Sequence, residues 1–271
     1  MRSRTFLFSV LAFGYAFLYL PVVLLVIYSF NESRLVTVWS RFSTKWYAAL
    51  LENDRLLESA WLSVKIAATN ASAAVILGTL AANALVRYRR FRGRTGFNLL
   101  LTAPLVMPDV IIGLSLLLLF VATEQLTGWP EGRGFGTIAI AHITFSLAYV
   151  AIVVKSRLAR IDPALEEAAL DLGASPLTAF LRITLPLIAP ALIVAVTFRT
   201  LDALRIFDLV YVLTPNRPET LSMSVYARQQ LVDFQSVGYG SAASTLLFAT
   251  VAALTVAWLR YGRRHLEERQ S

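Results

Sequence analysis

Five charged residues stand in or beside otherwise apolar stretches: Asp109, Arg199, Asp202, Arg205 and Asp208. A charge in such surroundings is costly, and it is retained where it lines a cavity, pairs with another charge or meets a solute. A carboxylate there attracts a passing cation. An arginine beside it either neutralises it or offers fixed donors to the solute. Arg199, Asp202, Arg205 and Asp208 recur every third residue with alternating sign, a spacing that lets them pair along one helical face. They read either as a self-neutralised ladder near the outer membrane surface or as the polar lining of a passage. Asp109 follows Pro104 and Pro108, so it either caps a restarted helix or presents an anion to that passage. Lys65 can snorkel outward from its apolar run. His142 reads as a packed polar residue, and His265 lies in a charged tail.

Enzyme chemistry finds little support. The chain has two distant histidines, no cysteine, no His-Glu-x-x-His and no Gly-x-Ser-x-Gly, so nucleophile–base pairs and metal-ligand sets are missing. No cofactor and no metal is expected. A Gly-x-x-x-x-Gly-Lys-Ser/Thr phosphate loop is also absent, so ATP is not bound in that way.

The elements that must position these charges are read from hydropathy. Of the 271 residues, 57% are hydrophobic and 15% are charged, too thin a charged coat for a soluble domain of this size. The apolar residues fall into uncharged runs of about 20, the length that crosses a ~30 Å hydrocarbon core as helix. Six spans are expected, over about 6–30, 58–86, 97–122, 136–154, 186–206 and 240–259, in one membrane domain. The first is too long for a signal-peptide core and lacks a small-x-small cleavage site. No stretch alternates with period two, so backbone hydrogen bonds are expected within helices and a barrel is not. The fold expected is therefore all-α and polytopic.

Net charge is +8. The arginines sit in short loops between apolar runs, which points to topology and anionic lipid headgroups, not to nucleic acid. Of the 25 Lys and Arg residues, 15 fall on the side holding both termini and 8 on the other, with Lys65 and Arg199 inside spans. The positive-inside rule then places both termini in the cytoplasm. Trp39, Trp46, Trp61, Trp129 and Trp258 fall near predicted span ends, as interfacial anchors do.

Residues 161–186 read as two short cytoplasmic helices in tandem. Asp162 and Pro163 suit the start of the first, and Gly173 suits a left-handed stop. Ser175 and Pro176 repeat the start signal, and Pro186 is expected to open the next span. Leu165, Ala169 and Leu172 share a stripe, with Glu166 and Glu167 toward another, and the small residues would let a partner approach closely. The segment is either a docking surface or a solvated connector.

This segment resembles the signature loop of ATP-driven (ABC-type) importer permeases. The pattern is Glu-Ala-Ala, three residues, Gly, nine residues, Ile-x-Leu-Pro, carried here by Glu167, Ala168, Ala169, Gly173, Ile183, Leu185 and Pro186. The resemblance implies that this is the coupling helix, seated on a separate ATP-hydrolysing subunit dimer. It also implies a second permease subunit, an extracytoplasmic solute-binding protein and an inner-membrane location, with no enzymatic activity in the chain itself.

Residues up to about 190 resemble the putrescine/spermidine branch, through Tyr28-Ser-Phe-Asn31, Thr44-Lys-Trp-Tyr47 and Ala103-Pro-Leu-Val-Met-Pro-Asp-Val-Ile-Ile-Gly113. After Phe198, the stretch Arg199–Thr214 with Glu219–Ser222 and Gly238–Ala242 resembles sugar-importer permeases. The polyamine branch would carry an acidic pair near 205–206, where this chain has Arg205 and Ile206. The chain thus reads as a natural or constructed hybrid. The expected substrate is a polyamine, with a sugar as the alternative. An ion-coupled carrier using Asp109 without an ATPase is a further rival.

Overall fold

In the computed structural model, residues 2–35, 38–88, 90–215 and 217–267 are described. The helices in chain order are α1 (Arg2–Tyr28), α2 (Lys45–Leu51), α3 (Asp54–Arg87), α4 (Arg94–Thr102), α5 (Asp109–Thr127), α6 (Phe135–Leu158), α7 (Ala164–Asp171), α8 (Pro176–Ala179), α9 (Leu185–Arg205), α10 (Asp208–Leu213), α11 (Met223–Arg228) and α12 (Val237–Glu267). Among the described residues six helical stretches are long and apolar enough to cross a membrane: Arg4–Tyr28, Asp54–Arg87, Asp109–Thr127, Phe135–Leu158, Pro176–Arg205 and Val237–Trp258. The expected all-helical, six-span architecture is what the chain adopts.

The third span differs in position from the expected 97–122. The helix stops at Thr102, passes through a 3₁₀ turn at Ala103–Leu105, and restarts at Asp109 after Pro108. Proline lacks an N–H and biases the residue before it away from helical backbone, so Pro104 and Pro108 divide a run that hydropathy reads as continuous. The span that results is Asp109–Thr127.

The tandem helices of 161–186 also differ from expectation at their second boundary. Helix α8 does not end before the next span. It continues through a π-helical segment, Phe180–Thr184, directly into α9, so Pro176–Arg205 is one 30-residue rod. The wide turn lies just before Pro186, where an ordinary helix would drive the proline ring into the carbonyl four residues back.

The chain divides into two compact units, residues 1–61 with 222–252 and residues 62–221 with 253–271. In the first, Asn31 is fully buried and organises the turn after α1. Its Nδ2 donates to the Val38 carbonyl at 2.9 Å, and its Oδ1 accepts from the N–H groups of Ser33 and Ser40, both at 3.1 Å. Trp46, expected as a lipid anchor, is half-buried and donates its indole N–H to the Asn31 carbonyl at 2.8 Å. Gly238, near the start of α12, lies against this turn. A Cβ there would stand 2.5 Å from the Ser33 carbonyl oxygen and 2.6 Å from Trp46 Nε1.

In the second unit, Ala74, Ala82, Val150, Val154, Leu158, Ile188 and Ala195 form one buried cluster, drawn from α3, α6 and α9. Small residues on α3 let the α6 backbone approach, the device by which helices without a hydrophobic driving force pack in lipid. A smaller cluster, Leu85, Leu101 and Ala151, seats α4.

Candidate functional site

Two assemblies in the second unit hold the residues singled out by the sequence. The first is the loop over 161–186. Asp162 accepts the Ala164 N–H at 3.0 Å, Pro163 stands at the helix start, and Gly173 takes φ +87° after Asp171, closing α7 in the left-handed conformation. Ser175 then caps α8 by accepting the Thr178 N–H at 3.2 Å, with Pro176 in its first turn. These local signals act as the sequence reading expected.

Within α7, Glu167 and Ala168 are exposed and Ala169 is half-buried, while Ile183, Leu185 and Pro186 are half-buried in the rod that follows. Leu165, Leu172 and Leu177 are exposed, Leu172 by 89%. An apolar side chain so open has no partner within its own unit, and it makes the outer face of the loop the kind of surface that another protein covers. Sequence reasoning missed Glu166. It accepts hydrogen bonds from Arg87 Nη2 at 2.7 Å and from the Thr184 hydroxyl, and it lies with Arg87, Ile161 and Leu170 on a cavity of about 520 Å³. The only sequence signal was the doubled glutamate; the partner is 79 residues away.

The second assembly is a cavity of about 370 Å³ lined by Asp109, Phe145, Asp202, Arg205, Ile206, Phe207 and Asp208. Four of the five charges singled out in the sequence meet there. Arg199, the fifth, lies beside it: it is 6% exposed, its guanidinium stands 4.2 Å from the Tyr149 ring centroid and 5.7 Å from that of Phe145, and it pairs with Asp202. Stacking on two ring faces is a setting that guanidinium suits better than ammonium.

The four-residue ladder expected along one face does not form. Helix α9 ends at Arg205, because Ile206 is extended with ψ 131°, and Asp208 opens α10 instead. Asp202 therefore sits between two arginines, bonding Arg199 and, at 2.8 Å, Arg205. Asp109 and Asp208 begin two different helices, α5 and α10, that pack closely enough for a Cβ on Gly113 to stand 3.5 Å from Val212. Asp109 lies within electrostatic reach of Asp208, Asp202 and Arg199. Asp109 thus stands at the start of a restarted helix after Pro104 and Pro108, one of the two placements the sequence offered, and it lines the cavity as well. An N-terminal carboxylate there also complements the helix dipole. Chemically, the cavity offers an Arg–Asp–Arg group of net charge +1 at its edge together with two further carboxylates, and Phe145 and Phe207 share its lining.

Comparisons with known proteins agree with this architecture. Putrescine transport system permease protein PotI of Escherichia coli (strain K12) is 59% identical over 184 residues, 68% of this chain and 66% of that protein. The match thus spans just under two thirds of that relative's own length. Trehalose/maltose transport system permease protein MalF of Thermococcus litoralis is 31% identical over 235 residues, 80% of this chain and 78% of that protein. A bacterial ABC transporter involved in import of the acidic polysaccharide alginate has the same fold, with TM-score 0.78 over 96% of this chain and 94% of that one at 18% identity. A family model, binding-protein-dependent transport system inner membrane component, matches residues 74–267. The chain is a multi-pass membrane protein that belongs to the family of binding-protein-dependent transport system inner membrane components.

Proposed function

We propose that the chain is the permease subunit of an ATP-driven importer and that its solute is a polyamine. Hydrolysis belongs to a separate ATPase dimer, which docks on the exposed face of α7 through Glu167, Ala168, Ala169 and the neighbouring leucines. Gly173, Ile183, Leu185 and Pro186 set the turn and the rod behind that face. Both termini and this loop lie in the cytoplasm, in keeping with the excess of basic residues on that side. An external binding protein delivers solute on the other side. Helix α1, whose apolar side chains from Phe6 to Leu24 are exposed, faces lipid and a second permease subunit.

The observation that carries the substrate reading is the pairing pattern in the 370 Å³ cavity. Asp202 is neutralised by Arg199 and Arg205. Asp109 and Asp208 face the same cavity without a described ion pair, so three carboxylates stand against two guanidiniums and the balance is one negative charge, suited to an ammonium group. The aromatic walls supply ring faces to the same cation. Closure of the ATPase pair moves α7 and, through the rod Pro176–Arg205, the wall of this cavity, alternating its access.

A sugar is the second reading. The trehalose/maltose relative matches more of the chain than the putrescine one, and the Asp202–Arg205 pair presents donors and acceptors suited to hydroxyls. Uptake of labelled putrescine and of a labelled disaccharide separates the two, in cells supplying matched ATPase, second permease and binding protein. The polyamine reading expects putrescine uptake that falls at least tenfold with Asp109→Asn. Disaccharide uptake, or putrescine uptake indifferent to that change, overturns it.

A further inference from the structure

Helix α7 is bonded to the spans of the second unit through a half-buried carboxylate. Glu166 stands in the first turn of α7, Arg87 in the last turn of α3, and Thr184 at the end of the π-helical segment that leads into α9. The Arg87 and Glu166 side chains are 16% and 21% exposed and 2.7 Å apart, and Thr184 is fully buried with its hydroxyl on the same Oε1 of Glu166. A carboxylate at a helix N-terminus facing a guanidinium at a helix C-terminus is favoured by both helix dipoles. Low exposure protects the pair from screening.

Glu167, the neighbouring position of the signature, lines the same cavity but is exposed. Of the two glutamates, Glu166 is the one with described bonds to the spans, while Glu167 stays open to whatever covers the loop. Thr184 is where that hold enters the rod. The residues just before Pro186 are already in the wider π geometry, whose i→i+5 pattern is a local defect, often at functional sites, that a small displacement can shift. The rod then runs from Pro176 to Arg205, about 45 Å at 1.5 Å per residue, and ends at the Arg199–Asp202–Arg205 group on the cavity wall.

We infer that Glu166 is a positioning residue for transport, the joint that passes displacement of α7 to α3 through Arg87 and to α9 through Thr184. This rests on the permease reading above. A bond to two spans at once makes α7 move as part of the membrane unit instead of swinging on its flanking turns. Loss of the joint leaves the docking face intact and removes the transmission.

The test uses the whole complex, this chain with its second permease, ATPase and binding protein, reconstituted in proteoliposomes with labelled putrescine. ATPase co-purification, ATP hydrolysis and solute uptake are read on the same samples. Glu166→Gln keeps an acceptor for Thr184 and removes the charge that holds Arg87. It is expected to retain the ATPase while ATP consumed per solute rises at least fivefold. Thr184→Val, close in volume, reads the α9 branch alone and stands in if Glu166→Gln fails to assemble; a rise of at least twofold is expected. The exchange Arg87→Glu with Glu166→Arg is expected to recover part of the lost ratio, which a generic loss of stability would not allow. An unchanged ratio in Glu166→Gln, or in Thr184→Val where the first fails to assemble, overturns the inference while leaving the permease reading in place. A wild-type chain that binds no ATPase overturns the permease reading, and the inference with it.

Discussion

Gly78 of α3 lies close against Val150 of α6: a Cβ added to Gly78 would stand 2.7 Å from both Cβ and Cγ1 of Val150, and 3.1 Å from the Ala151 nitrogen. Overpacking of this kind typically costs about 1–3 kcal/mol. Gly78→Ala is expected to lower the thermal midpoint of the detergent-solubilised chain. Gly14→Ala on α1, with nothing within 4 Å of its Cβ, is expected to leave it unchanged or raise it slightly, since alanine is the better helix former by about 1 kcal/mol. Equal effects of the two changes would argue against close packing of α3 on α6.

Asp202 and Arg205 should differ sharply on mutation although they bond each other. Asp202→Asn leaves Arg199 as a buried cation without its counter-charge, a loss on the order of 3–5 kcal/mol. Arg205 is 67% exposed at its side chain, and Arg205→Ala removes an interaction worth about 0–1 kcal/mol. Thermal unfolding of the two variants, monitored by circular dichroism, separates these outcomes.

The requirement at Gly173 is one of backbone, since nothing lies within 4 Å of a Cβ there while φ is +87°. Gly173→Ala should therefore weaken α7 termination by about 1–2 kcal/mol, the cost of left-handed backbone for an ordinary residue. Gly173→Asn should cost less, because asparagine tolerates that conformation. Gly173→Arg combines the strain with a long charged side chain on the docking side, and transport is expected to collapse. Uptake in the order Gly, Asn, Ala, Arg is the result that matches.

Leu172 is 89% exposed, so Leu172→Asp should not change the stability of the isolated chain. The same change places a charge on the surface assigned to the ATPase, and co-purification of that subunit should fall at least tenfold. Destabilisation of the isolated chain would mean that this leucine packs within it.

At the turn after α1, a hydrogen bond from Arg41 holds Glu32 below its ordinary value of 4.5, helped by the charges of Arg41 and Lys45. A carboxylate with a depressed pKa contributes its stabilisation above the unfolded value and loses it as pH falls through the folded one. Amide hydrogen exchange in residues 30–35 and 38–43 should thus be slowest near neutral pH, after correction for intrinsic rates. Glu32→Gln at neutral pH should exchange like the wild-type chain at low pH.

Much of this architecture was legible from patterns that local chemistry enforces. The uncharged runs marked six spans because a helix in lipid satisfies its own backbone. The caps of α7 and α8 were readable because Asp162, Gly173 and Ser175 act on groups within three residues or so. The break before Asp109 was signalled by Pro104 and Pro108, yet the apolar text on either side drew the span boundary too early. The charge ladder failed for a related reason. Its spacing is right for one helix, but the helix ends at Arg205, and no cap residue announces that end. Glu166 and Arg87 were not legible at all, since their pairing depends on where α3 and α7 finish relative to each other in three dimensions.

The turn around Asn31 has a consequence for how the chain matures. Its contacts join the beginning of the chain to nearly its end: Arg34 Nε donates to the Ser236 hydroxyl, 202 positions later, the Val237 N–H donates to the Arg34 carbonyl, and Gly238 abuts Ser33 and Trp46. The Arg34 carbonyl and guanidinium are therefore expected to gain these partners only once residues 236–238 have been made. A chain stopped short of residue 236 lacks these contacts, and limited proteolysis around Ser33 and Arg34 should distinguish it from one that contains them.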